Sequence, residues 1–114
     1  MGQEYFMVFA GPIEGKDDEL VAWWDTSHIP DVLTVDGFSA AKRLKGAEGA
    51  PFPYCLIYEV VEGEEEAARA LLQEAIGKFG PPSPALDLDT VQSGFFTVAK
   101  EHAAKPIRKD DRHA

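Results

Sequence analysis

The run from Trp23 to Gly37, WWDTSHIPDVLTVDG, places two indoles, an imidazole and several carboxylates within a short span. His28 follows Leu20 and Trp24 at four-residue steps, a spacing that keeps side chains on one helix face, so the imidazole is expected to point inward with them. Imidazole is the side chain that changes charge near neutral pH. A helix C-terminus and the carboxylates of Asp25 or Asp31 favour the cation, while burial opposes it, and the balance leaves a pKa suited to a general acid or base. On this reading His28 moves a proton and Asp25 or Asp31 orients it, as the third member of a triad orients its base. No serine or cysteine stands at a recognisable nucleophile elbow. The plainer alternative is a structural histidine that bonds a loop carbonyl and closes the helix.

Trp23 and Trp24 are neighbours, so on a helix they project about 100° apart. One is expected in the core and the other at its margin, either as packing or as an aromatic wall for a flat ligand. Tyr58 shares a strand face with Tyr54 and Leu56, where its phenol has either a developing enolate or a backbone carbonyl to bond. Alternation puts Arg43 on the opposite face of its strand from Phe38, as a carboxylate clamp if that face lines a pocket and a surface arginine otherwise. Trp23, Trp24, Tyr58, Arg43 and Phe38 are the substrate-contacting candidates. Cys55 has no cation beside it in sequence to lower its pKa, and reads as a small buried hydrophobe. Glu64, Glu65 and Glu66 suit the start of a helix better than a metal site, and no metal site is expected.

These side chains need elements to carry them. Tyr5 to Ala10 is an apolar run of strand length stopped by Gly11-Pro12. From Asp17 the apolar period becomes helical through Leu20, Val21, Trp23, Trp24 and His28, with Asp17, Asp18 and Glu19 in the first turn. Pro30 disfavours helical geometry at Ile29, so the helix is expected to end near His28. Asp36-Gly37 is a turn pair. Phe38 to Leu44 alternates as a strand, and Tyr54 to Val61, rich in aromatic and β-branched residues, is another, with antiparallel pairing across the short Lys45 to Pro53 connection. Ala68, Leu71, Leu72, Ala75, Ile76 and Phe79 give a second helix one apolar stripe, ended by Gly80-Pro81-Pro82. A loop to Thr90 and a last strand from Val91 to Lys100 complete the order.

Strand, helix, strand, strand, helix, strand is the split βαβ order of a ferredoxin-like α+β sandwich with a four-stranded antiparallel sheet. Two helices cover one sheet face only, yet the strands carry apolar residues on both, as in Tyr5, Met7 and Phe9 opposite Phe6 and Val8. An apolar face of that kind is normally covered by a partner, and a homodimer joined through its sheets is the expectation.

The 114 residues and 45% hydrophobic content fit one domain with a modest core, expected over residues 1–100 with a polar tail at 101–114. The tail is expected to be flexible or to pack on a partner subunit. One cysteine excludes an intramolecular disulfide framework, and a reducing cytoplasm is the simplest setting. The N-terminal apolar run is too short and too acidic for a signal or membrane segment, so no membrane association is expected. A net charge of −9, with no basic stretch interleaved with aromatics, argues against nucleic acid as a partner and leaves a small molecule.

Trp23 to Leu44, WWDTSHIPDVLTVDGFSAAKRL, resembles the dimeric α+β barrel superfamily, and within it the EthD-like branch with its Trp, His-x-Pro and later Gly before the second strand. The matching positions are Trp23 or Trp24, His28, Pro30, Gly37 and Phe38, and Asp36 stands where proline is frequent. The resemblance implies a barrel-like dimer with a pocket between the sheet and the first helix. It also implies cofactor-independent chemistry on aromatic, lactone or polyketide-like compounds, with a histidine similar to His28 in the active site. The leading expectation is a lyase or isomerase, dehydratase- or cyclase-like, working by His28 proton transfer. The alternatives are a cofactor-independent monooxygenase and a non-catalytic dimeric binding or stress-related protein.

Overall fold

In the computed structural model, which describes residues 2–105, EYFMVFAGP forms β1 (Glu4–Pro12). β1 is an inner strand of an antiparallel four-stranded sheet of order β2-β3-β1-β4, with β2 at Phe38–Lys45, β3 at Tyr54–Val60 and β4 at Leu86–Thr97. This is the expected ferredoxin-like α+β arrangement. Pairing of β1 with β3 ends at Ala10 and Tyr54, while Gly11 and Pro12 continue against Asp87 and Leu86 of β4. The expected stop at Gly11-Pro12 is therefore displaced, because with a strand on only one side the missing N–H of Pro12 costs no ladder bond. The same pairing starts β4 at Leu86 rather than Val91. Thr90 secures the bulge between, its hydroxyl accepting the Gly11 N–H at 2.9 Å and donating to the Asp87 carbonyl at 2.6 Å.

β2 and β3 pair as expected, but a bulge at Ser39 shifts the register from Phe38–Val60 to Ala40–Glu59. One extra residue reverses the alternation that follows. Phe38, Ala41 and Arg43, opposite Val60, Tyr58 and Leu56, consequently share one face. The expected separation of Arg43 from Phe38 is corrected by that single residue.

The first helical segment is longer and less regular than its sequence suggests. α1 (Asp17–Trp23) passes into one π-helical turn, Trp24–His28, and then into α2 (Ile29–Val32). Pro30 does not end it. The Ile29 N–H donates to the Trp24 carbonyl five residues back, and Pro30 falls in the opening turn of α2, where a missing N–H is tolerated. α3 spans Glu65–Ile76 and buries Ala68 and Leu72. Gly37, with φ of 99°, lies so close to α3 that a Cβ placed on it would stand 2.6 Å from the Ala68 Cβ, which explains the Asp36-Gly37 turn.

The core lies between the helices and one sheet face, where Leu20, Trp24, Val32 and Leu72 meet Tyr54, Leu56, Tyr58 and Val60. The other face carries Tyr5, Met7, Phe9, Ile57 and Phe96, none of them in that core, and Phe96 is 53% exposed. Among the described residues no helix is long and apolar enough to cross a membrane, and no cluster of His, Cys, Asp and Glu could hold a metal ion. The expected tail lies outside the described residues from position 106 onward.

Candidate active site

The π turn decides where the imidazole goes. In an α-helix, side chains five apart diverge by about 140°, whereas a π turn brings them into line. His28 accordingly stacks on Trp23, ring centroids 4.7 Å apart and planes at 17°, instead of continuing the Leu20–Trp24 stripe. Phe79, just beyond α3, meets the imidazole edge-on at 6.2 Å. Trp24 stays in the core at 2% exposure, edge-on to Tyr54 at 5.5 Å.

Both indoles and the imidazole face one cavity of about 290 Å³. Ser27 and Asp31 join them from the same helical segment, Phe6, Val8 and Ala10 form the β1 floor, and Ile76, Phe79 and Pro82 close one side. Leu86, Val91 and Ser93 of β4 complete the wall. The lining is mainly apolar, and its titratable side chains are His28 and Asp31. Burial pulls the His28 pKa below the ordinary 6.5, and the nearby Asp31 carboxylate opposes that shift without cancelling it. The shift favours the neutral imidazole, and the Asp31 carboxylate would stabilise its conjugate acid.

Asp25 is engaged elsewhere. The Arg43 Nε donates to one of its oxygens at 2.9 Å and Nη2 to the other at 2.8 Å. These bonds hold the Asp25 carboxyl below its usual range. The expectation that Asp25 orients the imidazole is thus corrected, leaving Asp31, and Arg43 clamps a carboxylate of its own chain rather than lining the cavity. Phe38 and Tyr58 also lie outside the lining: both pack on Phe6, at 6.5 and 5.8 Å between ring centroids, and it is Phe6 that reaches the cavity. Tyr58 is fully buried, its hydroxyl has no hydrogen-bond partner among the described residues, and burial pushes its phenol far above the usual value. Cys55 is half-buried, and burial raises its thiol as well.

The floor and far wall were missed by sequence reasoning. Alternation in β1 separates Phe6 and Val8 from Tyr5 and Met7 but does not say which face holds the cavity. Phe79 closes the apolar stripe of the second helix and carries that much signal; Ser27 and Ser93 carry none.

No family model and no curated protein matches this sequence. Two solved structures match its fold. A protein from Shewanella loihica PV-4 described as a candidate monooxygenase superposes with a TM-score of 0.56 at 13% identity, over 89% of this chain and 99% of its own. A monooxygenase from Streptomyces coelicolor, in complex with nanaomycin D, gives 0.50 at 17% identity, over 93% of each chain. The likeness is one of fold. At these identities it carries the ferredoxin-like fold and extends neither to the dimeric α+β barrel superfamily nor to its EthD-like branch.

Proposed function

We propose that the cavity is the substrate site of a small oxygenase that needs no bound cofactor and acts on a flat, electron-rich phenol of aromatic or polyketide type. His28, neutral and stacked on Trp23, takes the phenolic proton, and Asp31 steadies the imidazolium. The phenolate passes one electron to dioxygen, and the resulting superoxide and phenoxyl radical combine at a ring carbon bearing hydrogen. The peroxide takes the proton back, then loses that hydrogen with hydroxide as water, so each phenol and dioxygen yield one quinone and one water. Trp23, Trp24 and Phe6 supply flat walls for the ring, and the mainly apolar lining keeps water from the anion. Asp31 as the charged lining group suits a neutral phenol better than a carboxylic acid.

The single observation that carries this reading is the half-buried imidazole stacked on Trp23 at the wall of a mainly apolar cavity. The two fold relatives described as monooxygenases favour oxygenation over the lyase or isomerase chemistry that the same base could perform next to a carbonyl. The test is dioxygen uptake by the purified protein with a panel of naphthols, anthrones and quinols. Uptake matched by quinone formation, falling by about 10²- to 10⁴-fold in a folded His28→Ala protein, supports the reading. Turnover of a panel compound without oxygen consumption would replace it with proton-transfer chemistry at the same base. The homodimer, formed by the Tyr5, Met7, Phe9 and Phe96 face, belongs to this proposal, as do the 1–100 domain boundary, a cytoplasmic setting and the EthD-like assignment. Sedimentation of wild type against Phe96→Glu tests the dimer.

A further inference from the structure

Asp25 lies inside the π turn, between Trp24 and Ser27, and its two hydrogen bonds to Arg43 are the direct side-chain tie between that turn and β2. Arg43 reaches Asp25 because the Ser39 bulge turned it to the helix side. Both partners are partly exposed, 26% for Arg43 and 46% for Asp25, and pairs so placed add little to overall stability. A fork-to-fork geometry nevertheless fixes distance and orientation in a way a single contact does not. A π turn is the rarer alternative to an α turn and needs something outside the helix to favour it. Here the anchored residue is three positions before the imidazole, on the turn that aligns His28 with Trp23.

We propose that the Asp25–Arg43 pair is a positioning clamp that selects the π turn and thereby holds His28 on Trp23 at the cavity wall. Its catalytic consequence rests on His28 being the working base, but the clamp itself is a matter of geometry and can be read without any substrate. Apart from Asp31, the lining offers no other titratable group to the imidazole. Loosening the clamp lets the ring leave the stack and regain water.

NMR of the full chain tests this through the His28 ring protons and their pH titration, with the exposed His102 as internal control. In wild type the Trp23 ring current displaces the His28 signals upfield. Asp25→Asn and Arg43→Gln each remove part of that displacement, and in both the His28 pKa rises toward its ordinary value. Arg43→Lys, which keeps the charge and loses the fork, gives an intermediate shift. A through-space charge effect would move the two neutralising variants in opposite directions, lower for Asp25→Asn and higher for Arg43→Gln, and that result overturns the proposal. Unchanged His28 signals in the near-isosteric Asp25→Asn, folded as judged by its amide spectrum, overturn it equally. Because the readout is spectroscopic, the clamp can fail while oxygen uptake persists, and it can hold while no substrate is found.

Discussion

α3 and the Asp17 to Val32 segment are the two helical pieces over the same sheet face, and they divide the work unequally. α3 is one regular helix with a single apolar stripe, and it gives the cavity one terminal wall. The first segment switches from α to π to α, and it supplies both cavity indoles and both titratable side chains. Regular repetition packs a core; a break in repetition is what brings Trp23, His28 and Asp31 to one side.

That contrast breaks most sharply under paired truncation. Leu72→Ala leaves a void under α3 and should lower unfolding free energy by roughly 2–5 kcal/mol in denaturant titrations while phenol binding in the cavity survives. His28→Ala should do the reverse, removing turnover with little change in the unfolding midpoint. If Leu72→Ala instead abolishes binding, the division between the two helical pieces is wrong.

A smaller effect sharpens the picture of the core beneath them. Tyr58 buries a hydroxyl with no partner among the described residues, so Tyr58→Phe should stabilise the protein by about 1–3 kcal/mol, with ligand affinity unchanged because Phe6 stands at the cavity in its place. A loss of stability would mean that the hydroxyl is bonded after all.

The smallest expected effect is one of pH. The folded His28 pKa lies below its unfolded value of about 6.5, so the unfolded chain takes up protons first as pH falls. The stability due to a neutral His28 is complete above that value, declines as pH drops below it, and stops declining once the folded-state pKa is passed. Urea midpoints measured across that range should show the slope in wild type and not in His28→Gln. Activity should hold through pH 6.5 and fall only at the lower, folded-state value.

The order of elements along the chain, both helices and the alternation of β3 were legible because each rests on local repetition: Leu72 and Ala68 recur at helical spacing, and Tyr54, Leu56 and Tyr58 at strand spacing. His28 was legible as inward-facing and the wrong neighbour was assigned, since a four-residue stripe presumes an α turn and nothing in WWDTSH declares a π turn. Pro30 was misleading for the same reason. The prolongation of the helix depends on where the Ile29 N–H bonds, which composition does not reveal. Arg43 and Phe38 were placed on opposite faces because a bulge at Ser39 has no local signature in FSAAKR. The outer cavity wall comes from residues far apart in sequence, such as Phe79 and Val91, and only the fold brings them together.

Between the same flanking stretches, a π turn holds one more residue than an α turn would. Deleting the single codon for Thr26 would let the helix run regularly and leave the imidazole four residues after Trp23, still on the same helix face. The wall residues of the cavity and the stacking partner of the base would keep their side of the helix. In genetic terms the helix has absorbed a one-residue insertion within a single turn, so the stretches on either side keep their places in the fold.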